Sequence, residues 1–366
     1  MVEKQKIAIL APYVGQVNRG AESFVIEITK RLRSHYDITV FSQYSCEQLS
    51  DAVVKVPVEK GLLLKLHDRL FNRCAYYRRL VWRCYWLIPD VMFQKKFSRR
   101  VYRKYLKNGD FDLLYPNNGI WGMHYAKKVR KAKGTPIIYT GHGGVGKGEE
   151  LVLKCHPDSY ICLTTRHKNW AKQFSSDVTL IPNGVEVARF SCHDRHEKKT
   201  VLSVGALTAF KRHELTIRAL EHLPECNLVI LGSGELQQPL QSLAKKLLGS
   251  RCTIESVSYD RIQQYYQNAD VFALPSSDGE AFGIVYLEAM SANLPVVATD
   301  DESRREIVAD AGILCNVEDT LAYAEAIDQA LNLQWGNKPR RQAEKFDWSE
   351  ISRQYAELID GILLGK

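Results

Sequence analysis

The chain has 366 residues, of which 45% are apolar and 25% charged, and its formal net charge is +8. This composition is typical of a soluble globular protein of about two domains, and it excludes disordered and low-complexity classes. The charge is local, because thirteen Lys and Arg against two acidic residues fall within 61–107, so that the other 319 residues sum to −3.

The nine cysteines form no CxxC pair and are irregularly spaced, which predicts reduced cysteines in a cytosolic protein. The first apolar run is stopped by Pro12 and is too short for a signal peptide. No window of about 18 apolar residues predicts a membrane-spanning helix. We therefore expect a cytoplasmic protein that is at most peripheral on the inner face of the membrane.

Short apolar runs alternate with helical patterns along the first half of the chain. Apolar residues at i, i+4 and i+8 predict a helix over Ala21–Arg33. Asp110-Phe111-Asp112 has the DxD spacing of metal-dependent transferases, but it directly precedes a predicted buried strand, so we expect it to mark the strand's solvent end and predict no metal. The predicted strands are Ile7–Ala11, Ile38–Phe41, Leu113–Tyr115, Pro136–Tyr139, Tyr160–Leu163 and Val178–Ile181.

Residues 61–107 combine their thirteen cations with ten aromatic residues. Phe93, Phe97, Val101 and Tyr105 follow at steps of four and predict an apolar stripe beside a cationic face. Such a helix either lies on an anionic membrane surface or packs its stripe on the sheet with solvated cations outside. We favour the membrane surface, and we do not expect nucleic acid because no binding module is recognisable.

The loop after the fourth predicted strand, residues 141–148, is GHGGVGKG. It lacks the Ser or Thr that a P-loop needs after Lys147, and no acidic residue ends the next strand as a dinucleotide site requires. The residues after the glycines are also expected to be a poor start for a helix. The loop is better interpreted as backbone that approaches a ligand closely. His142 within it is either functional or bound to a loop carbonyl.

The second half repeats the alternation of strands and helices. Continuous apolar strands separated by helices predict parallel sheets covered on both faces, and two such series predict two doubly wound α/β domains. The joint is expected near Asn183–Lys199, and residues 340–364 are predicted to be helical. The predicted strands are Val201–Val204, Leu228–Leu231, Thr253–Ile254, Val271–Leu274, Val296–Ala298 and Ile313–Cys315.

The strongest local signal is the nine-residue run from Glu280 to Glu288, which follows a predicted strand and opens a helix. The free N–H groups of 281–284 and the positive helix end can receive phosphate. Carboxylates about 12 Å apart along a helix suit an elongated ligand such as a nucleoside diphosphate sugar. The alternative is an ordinary helix with an acidic N-terminus.

Two further clusters follow predicted strands. Lys211 and Arg212 can neutralise a leaving diphosphate through charge-assisted hydrogen bonds, although such a pair is usually a solvated surface. Gly20 is at the start of the first predicted helix. There it either lets a phosphate or sugar approach the backbone or simply marks the beginning of the helix.

Together these residues resemble the retaining glycosyltransferases of family 4, from Lys6 to about Leu358. The most specific part is PSSDGEAFGIVYLEAM at 275–290, which contains the family's E-x7-E element; RGAE, IPNGVEVARF, VGALTAFKR, YYQNADVFALPSS and FDW support it. The resemblance implies the GT-B fold, an α/β architecture of two doubly wound, Rossmann-like domains facing a cleft. Residues 1–185 would form the acceptor-side domain, 186–345 the nucleotide-sugar domain, and 346–366 a helix packing back on the first domain.

The resemblance also implies residue roles. The catalytic residues would be His142 beside the reacting sugar, Lys211 at the phosphate and Glu280 at the sugar hydroxyls. The family's phosphate-binding Arg is absent at Ala206, and whether Arg212 replaces it stays open. The donor-binding residues would be Gly20, Arg212, Val257 (at the base), Ala281, Phe282, Gly283, Ile284 and Glu288 (at the ribose diol).

The implied activity is transfer of a hexose, without metal or cofactor, from a nucleoside diphosphate sugar to a glycan or lipid-linked acceptor in polysaccharide or glycoconjugate synthesis. UDP-glucose is the first guess for the donor. A nucleotide-sugar epimerase of the same fold and a non-catalytic sugar-nucleotide-binding protein remain alternatives. Residues 61–107 would lie on the acceptor side, where an anionic membrane surface is the expected further partner.

Overall fold

The protein is described here from a computed structural model. It describes residues 3–16, 20–59, 61–74, 77, 81, 85–117, 119–190, 199–258 and 260–365. Arg19, much of the predicted joint at 191–198 and most of 75–84 in the basic segment lie outside these residues. The chain forms two compact units: the first consists of Met1–Leu163, His167–Ile181 and Ser352–Lys366, and the second of Thr164–Arg166 and Pro182–Ile351.

The strands of the first unit are all parallel. Four of them form a sheet in the order β3-β2-β1-β4 and three form the order β5-β6-β7, and a parallel bridge between Leu114 and Ile137 connects the two. The strands are β1 (Lys6–Leu10), β2 (Asp37–Ser42), β3 (Val53–Lys55), β4 (Leu113–Pro116), β5 (Ile138–Thr140), β6 (Ser159–Cys162) and β7 (Val178–Leu180).

Helices connect these strands, as the crossovers of a parallel sheet require. The described helices are α1 (Gly20–Leu32), α2 (Leu62–Arg73), α3 (Pro89–Val101), α4 (Ile120–Lys133), α5 (Lys147–Leu153) and α6 (Thr165–Ala171). A short 3-10 turn at Tyr85–Leu87 precedes α3, and a π-helical turn at Tyr102–Leu106 continues it.

The apolar stripe predicted in the basic segment faces the core of the first unit. Phe93, Phe97 and Val101 are buried in one cluster with the strand residues Ala8 and Leu114, because α3 packs by this face. The packed alternative therefore holds for this stripe. Instead, α2 exposes an apolar stripe to solvent: Leu62, Leu66 and Leu70, at steps of four, are 83%, 51% and 45% exposed.

The second unit contains one six-stranded parallel sheet in the order β10-β9-β8-β11-β12-β13. Its strands are β8 (Thr200–Val204), β9 (Asn227–Leu231), β10 (Cys252–Glu255), β11 (Val271–Leu274), β12 (Val296–Thr299) and β13 (Gly312–Cys315). Its helices are α7 (His213–Glu221), α8 (Gln237–Leu247), α9 (Ile262–Gln267), α10 (Ile284–Ser291), α11 (Glu302–Val308), α12 (Thr320–Asn332) and α13 (Lys338–Glu344). The predicted class of two doubly wound α/β domains is confirmed.

The helix predicted over 340–364 is in fact two helices, α13 and α14 (Trp348–Leu363). Between them the chain pairs with residue 185: the Val185 amide donates to the Phe346 carbonyl at 2.9 Å and the Trp348 amide to the Val185 carbonyl at 3.1 Å. These bonds use backbone groups that a continuous helix would need. The residues of α14 from Ser352 onward belong to the first unit, where Tyr36 donates a 2.6 Å hydrogen bond to Asp360.

In the part of the chain that the structure describes, no helix has the length and apolar character needed to cross a bilayer.

Candidate active site

The order of strands in the second sheet marks one place for a ligand. The sheet grows in opposite directions from the neighbouring strands β8 and β11, and ligands of such sheets bind beyond the carboxyl ends of the strands at this switch point. Lys211 follows β8, Glu280 follows β11, and Val257, which is half-buried, follows β10. Three of the predicted donor contacts are thus on loops at the same edge of one sheet.

Lys211 and Glu280 are in contact. The Lys211 ammonium donates to the Glu280 carboxylate, and the Ser276 hydroxyl donates to the same oxygen at 3.2 Å. The side chains of Lys211 and Glu280 are only 16% and 19% exposed. A Cβ on Gly205 would lie 3.2 Å from the Lys211 side chain, so the glycine lets this chain lie across the end of β8.

The start of α10 offers backbone N–H groups beside this pair. Gly283 adopts a left-handed φ of 89° and no side chain caps the helix. No acceptor is found, among the described residues, for the amides of Ala281, Phe282 and Gly283, and Ile284 begins the helix. The Phe282 ring itself is buried, 6.1 Å from that of Phe346. The geometry thus provides donors and a positive helix end for an anion.

Two guanidinium groups hold the loop that carries Glu280. Arg212 donates to the carbonyls of Pro275 at 2.7 Å and Ser276 at 3.2 Å, and also reaches Glu318 at 3.2 Å. The buried Arg304 donates to the Ser277 carbonyl at 2.7 Å and pairs with Asp301. The contacts described for Arg212 therefore position the loop, and its contact with a donor phosphate stays a prediction.

Glu288 lies in α10 and is buried. It accepts a 2.8 Å hydrogen bond from the hydroxyl of Tyr266, and burial raises the pKa of its carboxyl above the ordinary value. Because α10 begins at Ile284, Glu280 is outside the helix, and the 12 Å separation expected from helical rise does not apply.

In the first unit, the predicted residues lie at the carboxyl ends of β1 and β5. Gly20 begins α1, and one turn later the Phe24 ring lies 4.8 Å from the imidazole of His142. Asn117, directly after β4, is buried and donates to the Ala21 carbonyl at 3.4 Å, while its side-chain oxygen has no partner in the described part of the chain. Asn117 was not predicted from the sequence, although an Asn ending a buried strand is a signal.

Glu149 holds the glycine loop that carries His142. Its carboxylate is buried and accepts from the Gly143 amide and from the Tyr160 hydroxyl, both at 2.8 Å. A Cβ on Gly143 would lie 2.8 Å from this carboxylate, so a larger residue there would displace it. Burial raises the pKa of Glu149 to about 7. The helix α5 begins at Lys147, within the last two residues of this loop, so the expectation of a poor helix start was wrong.

The imidazole of His142 is shielded from water. Burial lowers its pKa to about 3, so the ring is neutral near pH 7. Its Nε2 atom is buried and has no hydrogen-bond partner among the described residues. The structure thus shows a neutral imidazole whose Nε2 is enclosed, and its contact with the reacting sugar stays a prediction.

Asp112 of the DxD motif has a structural role on the first sheet. Asp112 accepts a 2.7 Å hydrogen bond from the Lys6 amide and donates its own amide to the Lys6 carbonyl. Within the described ranges, no three His, Cys, Asp or Glu side chains come close enough to hold a metal ion.

Two family models match the chain in succession. The model of Glycosyltransferase Family 4 matches residues 18–189, and the model of Glycosyl transferases group 1 matches residues 186–346. The matches meet at the segment that joins the two sheets.

Two relatives of this chain are sugar transferases by name. The phosphatidyl-myo-inositol mannosyltransferase of Mycolicibacterium smegmatis is 26% identical over 98% of this chain and 94% of that protein. The D-inositol 3-phosphate glycosyltransferase of Xylanimonas cellulosilytica is 27% identical over 63% of each chain.

Solved structures show the same architecture. Sucrose-phosphate synthase from Thermosynechococcus elongatus superimposes with a TM-score of 0.78 at 18% identity, covering 99% of this chain and 100% of that one. HepE of Anabaena, solved with UDP and glucose, gives a TM-score of 0.73 at 18% identity over 97% and 99%. At 18% identity, the similarity to these structures shows the fold alone.

Proposed function

Since this chain is a glycosyltransferase of family 4 with the GT-B fold, we propose that it transfers a hexose from a nucleoside diphosphate sugar to a lipid-linked or glycan acceptor. We further propose that the reaction proceeds with retention and without a metal ion.

The ion pair of Lys211 and Glu280, beside the uncapped start of α10, is the observation that carries this proposal. An ammonium group has three donors, so the bond to Glu280 leaves two for phosphate oxygens. The amides of 281–284 supply further donors to the same anion. The free carboxylate oxygen of Glu280 can then accept from sugar hydroxyls next to the diphosphate.

The proposed mechanism follows from these positions. Glu280 is held by Lys211 and Ser276, which suits a residue that orients hydroxyls rather than one that attacks carbon. The acceptor would therefore approach on the face that the diphosphate leaves, through a transition state with oxocarbenium character. Lys211 and the helix amides would stabilise the leaving group, and the donor phosphate itself would take the acceptor proton.

The donor is tested by a thermal-shift screen of the full chain with UDP-glucose, GDP-mannose and ADP-glucose. UDP-glucose is our first candidate, and a mannosyl donor is the second because relatives are named mannosyltransferases. A ligand present at 100 times its Kd stabilises the native state by about 2.7 kcal/mol. The active donor should raise Tm, and Lys211→Ala should lose most of that increase.

Product analysis separates the alternatives. Release of nucleoside diphosphate with a glycosylated acceptor, and the anomeric configuration of that product by NMR, test transfer and retention. Conversion of the donor into another nucleotide sugar would indicate an epimerase. Binding of a donor without turnover on lipid and glycan acceptors would favour a non-catalytic protein.

For the acceptor side we propose an anionic membrane surface as the partner. The exposed stripe Leu62, Leu66 and Leu70 supplies apolar contacts, and the exposed Lys65 and Arg69 on the same helix supply positive charge. Helices of this kind lie in the interface of anionic bilayers. A lipid-linked acceptor would be presented there.

A further inference from the structure

A cavity of about 500 Å³ lies within the first unit. It is formed by α3, by the start of α4 and by the turn that precedes α3, and its volume is within the range of small-molecule sites. Its lining contains none of the residues assigned to the donor. The lining residues are Trp86, Met92, Lys95, Lys96, Arg99 and Trp121.

The walls of this cavity are mainly apolar. The rings of Trp86 and Trp121 meet edge to face with centroids 5.5 Å apart. Met92 adds a flexible thioether, a side chain that adapts to irregular apolar ligands. Trp86 is 45% exposed, so aromatic surface is open to an incoming chain. Burial of this aromatic surface by a ligand would favour binding through the hydrophobic effect.

Positive charge without a carboxylate partner surrounds these walls. Lys95, Lys96 and Arg99 are exposed, and none of them has an acidic partner among the described residues. The nearby carboxylate of Asp90 instead accepts from Tyr13 and Gln94.

Two further contacts concern Trp121. The Lys95 ammonium lies 4.5 Å from the centre of its ring, a cation–π distance. Its indole N–H is buried and has no acceptor in the part of the chain that the structure describes. The cavity therefore combines apolar walls, three cations and an unused donor.

We propose that this cavity binds a lipid phosphate, with the apolar chain against Trp86 and Trp121 and the phosphate at Lys96 and Arg99. Free phosphate would leave the apolar walls uncovered, and a neutral chain would leave the cations without a counter-charge. The inference rests on the proposed function, because a lipid phosphate is the carrier end of a lipid-linked acceptor.

The test is calorimetric titration of farnesyl phosphate, below its micelle concentration, into the full chain. Farnesol and inorganic phosphate are the comparison ligands, and each should bind at least tenfold more weakly. The double variant Lys96→Glu/Arg99→Glu should raise the Kd at least tenfold. Arg100→Glu is the matched control, because Arg100 is an exposed neighbour outside the cavity lining, and it should change the Kd less than twofold.

A second variant tests the cavity independently of charge. Met92→Trp narrows the cavity and should also raise the Kd at least tenfold, with Tm recorded to show that the variant folds. Equal effects of Lys96→Glu/Arg99→Glu and of Arg100→Glu on the Kd would indicate general charge attraction and overturn the inference.

Donor binding is measured on the same samples to separate the two proposals. If the donor raises Tm but farnesyl phosphate does not bind the wild-type chain, the cavity inference fails and the proposed function stands. If no donor raises Tm, the proposed function fails whatever the lipid result.

Discussion

Lys211 and Glu280 are 69 residues apart in sequence, and their contact exists because β8 and β11 are neighbours in the sheet. Each was predicted from its local motif and from the resemblance to a family. Their pairing was not predicted, because a strand order cannot be obtained from a single motif. A contact between two candidate residues strengthens the argument for a shared ligand more than either residue does alone.

Lys211→Ala and Glu280→Ala should each reduce kcat at least tenfold while Tm changes little. Lys211 would stabilise the leaving diphosphate, and Glu280 would hold the sugar that is transferred, so both effects concern the transition state. The measurement is steady-state turnover with the donor found in the screen. Lys245→Ala is the matched control, because Lys245 is an exposed lysine on α8, and it should leave kcat unchanged. Wild-type rates in both site variants would contradict the proposed site.

Glu149 makes stability depend on pH. Its pKa is about 7 in the folded chain against 4.5 for an ordinary Glu, so between these values the folded state keeps a proton that the unfolded state has lost. The contribution of Glu149 to the free energy of unfolding should therefore fall as pH rises from about 4.5 to about 7, by roughly 3 kcal/mol. The buried His142, His167 and His213, whose pKa values burial lowers to between about 3 and about 4, change the stability in the opposite sense below about pH 6.5. Denaturant unfolding of the wild type and of Glu149→Gln across this range isolates the decrease as the difference between the two chains.

Glu149→Gln should remove most of that decrease, since the amide does not titrate. The neighbour Glu150, whose carboxylate pairs with Lys154 on the surface, provides the matched control. Glu150→Gln should leave the dependence between pH 4.5 and 7 intact. An unchanged slope in Glu149→Gln would show that another group is responsible.

Arg304 was not predicted from the sequence because its burial could not be. Arg304 lies in a short helix whose sequence suggests an exposed cation, yet it is buried beneath the loop after β11. The available signal was Asp301 three residues earlier, which caps α11 and pairs with the guanidinium. Burial of an Arg depends on what packs over it, which local sequence does not contain.

At the scale of elements, apolar runs predicted the long buried strands but not β3. This strand has three residues, is half-exposed and lies at the sheet edge, so it carries no continuous apolar run. The periodicity of 93–105 correctly predicted a helix face, but not that this face is buried in the core. Periodicity indicates that a face is apolar and does not indicate what covers it.

The exposed stripe of α2 gives the prediction that belongs to this scale. Leu62→Ser/Leu66→Ser should reduce cosedimentation with anionic vesicles at least tenfold, because each buried leucine contributes about 1.5–3 kcal/mol. Leu321→Ser on α12 is the matched control, since Leu321 is 57% exposed but lies in the second unit. Absence of wild-type binding at low salt would remove the membrane proposal.

At the scale of the whole molecule, the two units should respond separately. Tyr355 is buried in the first unit, where its hydroxyl lies 3.1 Å from that of Thr140 and its ring 5.4 Å from Phe24. Tyr355→Ala should destabilise that unit by about 3–5 kcal/mol. In calorimetry of Tyr355→Ala, the melting temperature of the transition that does not respond to the donor should fall. The melting temperature of the donor-responsive transition should not change.

Phe346→Ala, in the second unit, is the reciprocal variant. It removes the ring that packs on Phe282, so it should lower the donor-responsive transition. A single transition shifted equally by both variants would contradict independent units.

The first unit is discontinuous in sequence, since the chain leaves it after Ile181 and returns at Ser352. A ribosome delivers the chain from its N-terminus, and domains generally fold as units during synthesis. The second unit is contiguous apart from three residues, so it can complete its core while the first unit still lacks Tyr355 and Ile359, both buried there. The unit that begins first is therefore finished last, and its apolar surface needs protection during translation.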